Sequence, residues 1–290
     1  MIKCTLLLAL VLMMPLMAWA QDKPAYVLYN AGGKKVSFEK LLKEARNVDV
    51  VFFGELHNNP IAHWLQIELF KELYNAKTQN VVLGLEMLEA DDQLKLDEYI
   101  KGFITDKHFE KEARLWPNYP TDYKPLVDSA KAKNLRVVAT NIPRRYAALV
   151  AKEGLEGLNK LSDEAKKLMM PLPLNINYDL PAYKSLLESG MGGMQHGSKN
   201  FVSAQAVKDA TMAHFILQNY TSKSLFFHIN GAFHTDDQEG IVWFLKQSKP
   251  KIKTLTISTV LQADPTSLSK DNEQKADFIL CVPENMTSTY

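Results

Sequence analysis

Val48-Asp-Val-Val-Phe-Phe-Gly-Glu-Leu-His57 is a short apolar run that ends in a glycine, a carboxylate and an imidazole. Its apolar residues do not alternate with polar ones, which predicts a strand over Val48–Phe53 buried on both faces. Four further runs read the same way: Asn80–Leu85, Leu135–Ala139, Ser224–Ile229 and Ile252–Val260. Helical patterning separates each run from the next, so the expected fold class is α/β, a mostly parallel central sheet flanked by helices. In such a sheet the carboxyl ends of the strands share one rim, and ligands bind in the crevice there.

The residues just past each strand are therefore the informative ones. The first strand runs into Gly54-Glu55-Leu56-His57, the second into Glu86-Met87, the third into Asn141-Ile142-Pro143-Arg144-Arg145, and the fourth into Gly231-Ala232-Phe233-His234. Two carboxylates, two histidines and two arginines thus converge on one rim. Glu55, His57, Glu86 and His234 form a nitrogen and oxygen donor set suited to a divalent metal ion. The same groups could serve as general acids and bases. Arg144 and Arg145 open a helix and could pin an anion, or pair with Glu55 or Glu86. Asp209 interrupts a small-residue face of Ala206, Ala210 and Ala213, and is either buried toward the rim or a solvated edge residue.

The first helix is signalled by Asn59 as cap and Pro60 in its first turn, with Ile61, Trp64, Leu65, Leu69 and Leu73 as its inward stripe. Further helices are expected over Asp91–Lys101, Thr121–Lys133, Arg144–Lys152, Ser162–Met169, Pro181–Ser189, Phe201–Gln218 and Gln238–Gln247. No strand candidate occurs between about residues 147 and 199, which reads as a helical insertion between the third and fourth of these strands. Within it, Met169, Met170, Met191 and Met194 give an adaptable apolar surface. Tyr29, Tyr74, Tyr119, Tyr123 and Tyr178 read as core or interface aromatics, whereas Tyr146 stands beside the two arginines at the rim.

The chain has 290 residues, 46% hydrophobic and 23% charged, a composition that excludes long disorder. Residues 1–20, MIKCTLLLALVLMMPLMAWA, carry a basic start, an apolar stretch and an Ala18-Trp19-Ala20 cleavage signal, so a removable secretory leader followed by one domain over 21–290 is expected. Cys4 precedes the apolar stretch, so no lipoprotein cysteine is evident, and the expected product is exported, periplasmic or membrane-associated. Once Lys3 leaves with the leader, 33 basic residues face 33 acidic ones, giving no field for nucleic acid. Cys281 then has no partner for an intramolecular disulfide. Gly-x-Gly-x-x-Gly, Walker-type and Gly-x-Ser-x-Gly motifs are missing, which counts against nucleotide cofactors and serine hydrolysis.

Five segments, VVFFGELHNNPIAH, VVLGLEM, RVVATNIPRRY, FVSAQAVKDATMAHFI and HINGAFHTDDQEGIVWFL, occur in this order. Together they make the chain similar to the ChaN-like haem-binding uptake proteins, a branch of the Tiki/TraB/erythromycin-esterase-like superfamily. That resemblance implies an exported or membrane-attached bacterial protein that binds haem, with two haems stacked face to face across a homodimer and each iron held by a tyrosine. Carried over, it matches Glu55, His57, Glu86 and His234 to the superfamily's cleft, with Arg144 and Asp209 around it. Tyr146 is the expected haem ligand, because a nearby cation favours a phenolate, and His196 is the next candidate. Two functions are consistent with the resemblance. One is haem binding in an iron-acquisition system, with an outer-membrane haem receptor as a further partner. The other is hydrolysis by a divalent metal held on Glu55, His57, Glu86 and His234.

Overall fold

The computed structural model describes residues 23–75, 80–189 and 198–290. The expected leader lies outside the described residues, and so does the loop over 190–197 with Met191, Met194 and His196. In chain order the elements are β1 (Val27–Asn30), α1 (Phe38–Ala45), β2 (Val50–Glu55), α2 (Pro60–Asn75), β3 (Asn80–Glu89), α3 (Gln93–Ile100), α4 (Asp106–Glu112) and α5 (Lys124–Ala132). The chain continues with β4 (Val137–Asn141), α6 (Arg144–Glu153), α7 (Asp163–Lys166), α8 (Pro181–Ser189), α9 (Lys199–Asn219), β5 (Ser224–Gly231), α10 (Ile241–Ser248), β6 (Thr254–Gln262) and β7 (Phe278–Pro283).

The sheet has seven strands in the order β1-β7-β6-β2-β5-β3-β4. Only the edge pair β1–β7 is antiparallel; the other pairs are parallel. The expected α/β class and the strand-free helical stretch between β4 and β5 are what the described residues show. Consecutive residues of β2 explain the unbroken apolar run. Val51 and Phe53 enter the core on one face, beside Leu69, Leu83 and Phe227. Val50 and Phe52 enter the core on the other face, beside Val82, Met212 and Phe226. Phe52 and Phe53 are both fully buried, and burial of a side chain of that size stabilises by about 2–3 kcal/mol.

Several boundaries differ from the expectation. β3 runs on past Leu85 to Glu89, with its register to β4 shifting between those residues, so Glu86 belongs to the strand and not to the turn after it. The helix expected from Ser162 to Met169 is a single turn capped by Ser162. Asn59 does cap α2, its Oδ1 accepting from the N–H of Ala62 at 2.9 Å. Trp64, expected to face inward, is 48% exposed, because α2 turns His63 and Gln66 toward the sheet instead.

The strand order places the site. From β2 the chain crosses to β3 and β4 and only later returns, as β5, into the gap between β2 and β3. Glu55 is thereby paired with Gly231 across β2 and β5, and Leu85 with Ile229 across β3 and β5. The ends of β2, β5, β3 and β4 form a continuous rim, a switch point of the kind that opens a crevice in such sheets.

Candidate functional site

Close approach of the chain at Gly54 starts the rim. A Cβ built there would lie 2.8 Å from the carbonyl oxygen of Ile257 and 2.9 Å from Cα of Ala232, so only glycine lets β2 pass between them. The next residue, Glu55, is 1% exposed. Its Oε1 accepts from the Tyr123 hydroxyl at 2.5 Å, and its Oε2 accepts from Gln66 Nε2 at 2.6 Å. His57 Nδ1 lies 3.0 Å from Glu55 Oε1. A carboxylate can only accept, so Nδ1 carries the proton and Nε2 is left as the acceptor in the neutral ring.

A further layer holds His57 in place. Its carbonyl oxygen accepts from Asn118 Nδ2 at 2.8 Å and lies 3.1 Å from His63 Nε2. Asn118 also donates to Asp122 at 2.6 Å, and the His57 ring stands edge-on to Trp116 at 4.7 Å. Burial opposes protonation of His57, but its hydrogen bond to Glu55 and the charges of Glu86 and Glu55 outweigh it and raise its pKa.

The other half of the rim is a buried chain of alternating charges. Glu86 Oε2 accepts from the Gly231 N–H at 2.7 Å, and its Oε1 lies 3.3 Å from His234 Nε2. His234 Nδ1 lies 2.5 Å from Asp209 Oδ1, and Asp209 Oδ2 accepts from the Tyr183 hydroxyl at 2.7 Å. Burial would neutralise His234, yet the two carboxylates outweigh it and push its pKa up to about 10. Burial likewise works against a charged Glu86, and His234, with His57 and the Gly231 N–H, overrides it and holds that carboxyl far below its ordinary value. Asp209 is therefore a buried rim residue and not a solvated one. Below this layer, His228 is fully buried between the Thr140 hydroxyl at 2.8 Å and Asn230 Oδ1 at 3.0 Å. Burial lowers its pKa to about 4.

Between the two halves opens a cavity of about 450 Å³. His57, Glu86, Asn141 and His234 line it beside Trp116, Leu186, Phe201 and Phe233, with Arg144 and Lys208 also on its wall. His57, Glu86, Arg144 and His234 are thus brought together, with Glu55 behind His57 and Asp209 behind His234. The four groups expected to hold a metal do not form one coordination sphere. Glu55 is saturated by Tyr123, Gln66 and His57, and both His234 nitrogens face carboxylates as donors. Among the described residues no group of three or more His, Cys, Asp or Glu side chains is arranged to hold a metal ion.

The two arginines part company. Arg145 pairs with Asp91 at 2.5 Å, not with Glu55 or Glu86, and its guanidinium lies 4.5 Å from the ring centre of Tyr146. Its Nη2 donates to the Tyr146 oxygen at 3.4 Å. Tyr146 is half-buried and does not line the cavity, although Arg144, two residues earlier, does. Sequence reasoning missed Gln66, Tyr183 and Asn141 as site residues, and it read Tyr123 as a core aromatic. Tyr123 is indeed in the core, but its hydroxyl belongs to Glu55.

A family model described as "Haem-binding uptake, Tiki superfamily, ChaN" matches residues 41–245. Among solved structures, ChaN of Campylobacter jejuni, described for cofacial haem binding, is similar at 19% identity with a TM-score of 0.67, covering 88% of this chain and 96% of that one. An erythromycin esterase mutant in its open conformation is similar at 12% identity and a TM-score of 0.51, covering 85% of this chain and 93% of that one. A Bacillus cereus protein reaches 15% identity and a TM-score of 0.50, covering 89% of this chain and 94% of that one. At such identities these likenesses concern the fold. No curated protein matches the chain. The family match spans well over half of the sequence and contains every rim segment, and the chain belongs to the haem-binding uptake family of the Tiki superfamily, the ChaN family.

Proposed function

We propose that this protein is an exported haem-binding component of a bacterial iron or haem acquisition system, working as a homodimer on haem and exchanging it with an outer-membrane receptor. Family membership is the observation that carries the reading. The residues present fit the group. A haem iron takes oxygen or nitrogen ligands, and the half-buried Tyr146 would hold it through a phenol oxygen that accepts a guanidinium N–H. The same cation stacks on the ring, 4.5 Å from its centre. Tyr146 also packs on the core cluster of the helical insertion, in which Met169 and Met170 are buried and so belong to the core and not to an exposed surface. Export rests on the leader-like residues 1–20. Ferric-haem titration of parent, Tyr146→Phe and His196→Ala proteins tests the reading: saturable binding lost only in Tyr146→Phe is expected, and loss only in His196→Ala would move the ligand to that loop.

A second reading, hydrolysis in the cleft, is carried by His57. With Nδ1 on a buried carboxylate and the residue itself lining the cavity, it has the arrangement of a general base that needs no metal. Turnover of para-nitrophenyl acetate that His57→Ala abolishes would support it, and parent protein no faster than buffer would remove it.

A further inference from the structure

The cavity beside His57 contains an acceptor that has no partner among the described residues. Asn141 is 8% exposed. Its Nδ2 donates to the Glu86 carbonyl oxygen at 3.1 Å, which fixes the amide's orientation. Its Oδ1 is buried and has no hydrogen-bond partner among the described residues. A buried orphan acceptor is costly and rare. His57, whose Nδ1 donates to Glu55, lines the same cavity, and its neutral ring keeps Nε2 as an acceptor. The inner wall therefore calls for a donor.

The outer wall calls for an anion. Arg144 and Lys208 line the cavity, and among the described residues neither side chain makes an ion pair. Glu89, a carboxylate that lines the same cavity, is already answered by the Arg144 N–H at 3.0 Å and by Arg114 at 3.4 Å. Arg144 is exposed, whereas Asn141 is buried, so the two requirements lie at different depths. Trp116, Phe233, Phe201 and Leu186 are the apolar surface between.

We propose that this cleft is a binding site for an apolar carboxylate that carries a hydroxyl at the end remote from its acid group, a hydroxyaryl acid being the simplest example. The hydroxyl donates to Asn141 Oδ1, the ring lies against Trp116 and Phe233, and the carboxylate meets Arg144 and Lys208. The site is separate from Tyr146, which does not line the cavity, and it holds whether or not haem is bound there.

Titration calorimetry of the purified protein with para-hydroxyphenylpropionate, phenylpropionate and the methyl ester of the hydroxy acid tests this. Saturable one-site binding of the hydroxy acid is expected, about tenfold or more tighter than either analogue, since each leaves one buried or charged requirement unmet. An Arg144→Ala, Lys208→Ala double variant, changed only at the rim, is expected to bind the acid no better than the ester. Asn141→Leu is expected to lose the preference for the hydroxy acid over phenylpropionate. Failure of the hydroxy acid to saturate, equal affinity for all three probes, or a double variant that binds like the parent would overturn the proposal.

Discussion

The guanidinium of Arg145 lies over the ring of Tyr146, 4.5 Å from its centre, while pairing on its other side with Asp91. Asp91 comes just after β3 and Arg145 opens α6, so the ion pair clamps the start of that helix to the neighbouring strand end and fixes the cation above the phenol. If Tyr146 holds haem, Arg145 is the cation that orients its ring and contacts its oxygen. Arg145→Ala should then weaken ferric-haem binding about tenfold, with Arg145→Lys in between because the planar stack is lost but the charge is kept. A spectrophotometric titration of the three proteins checks this, and equal affinities would contradict it.

His234 is a buried cation between Asp209 and Glu86. Removing it as His234→Gln leaves two buried carboxylates without their partner, a change expected to destabilise by about 3–5 kcal/mol near neutral pH. Its folded-state pKa, about 10, lies above the ordinary 6.5. The stabilisation is therefore fully present below about pH 6.5 and fades as pH rises toward 10. Urea unfolding of parent and variant at several pH values should show the gap closing in the alkaline range.

His228 titrates in the opposite sense. It is neutral in the fold, with a pKa lowered to about 4 from 6.5, so the unfolded chain binds the extra proton between those values. Its contribution makes the protein lose stability as pH falls from about 6.5 to about 4, by on the order of 3 kcal/mol in all. His228→Gln, which keeps a hydrogen-bonding side chain, should show a shallower loss across that window in the same unfolding measurements.

Gly54→Ala would set a methyl group 2.8 Å from the Ile257 carbonyl oxygen and 2.9 Å from Ala232 Cα. Both are backbone atoms and cannot swing aside, so a loss of about 1–3 kcal/mol or more is expected. Gly32→Ala, whose nearest contact would be an ordinary 3.8 Å to a side-chain oxygen, should stay within about 0.5 kcal/mol of the parent. Thermal melts of the two variants side by side distinguish them.

The β2, β3, β4, β5 and β6 strands were legible because both faces of each are buried, which writes an unbroken apolar run into the sequence. β1 and β7 were not. β1 is four residues long and half-buried at both ends, and β7 is the one strand it pairs with. The Phe278–Val282 run was a usable signal for β7, but no helical pattern precedes it to mark a parallel crossover. At the rim, the charged residues were legible from their places after strands, whereas the groups that position them were not. Gln66 reaches Glu55 from one helix, Tyr123 reaches it from the turn before another, and Tyr183 reaches Asp209 from the insertion. These contacts join residues 11, 68 and 26 positions apart, beyond the reach of a helical or strand period, so no local pattern records them. On α2 the expected stripe holds at Ile61, Leu65, Leu69 and Leu73, and only Trp64 turns out, because the helix also brings His63 and Gln66 inward to Glu55.

The most direct test is a visible-absorbance titration of the purified protein with ferric haem, run beside Tyr146→Phe. The account predicts a saturable spectrum of tyrosinate type in the parent that the variant lacks. An identical saturable spectrum in both proteins would contradict Tyr146 as the ligand, and no saturable binding in the parent would contradict haem binding itself.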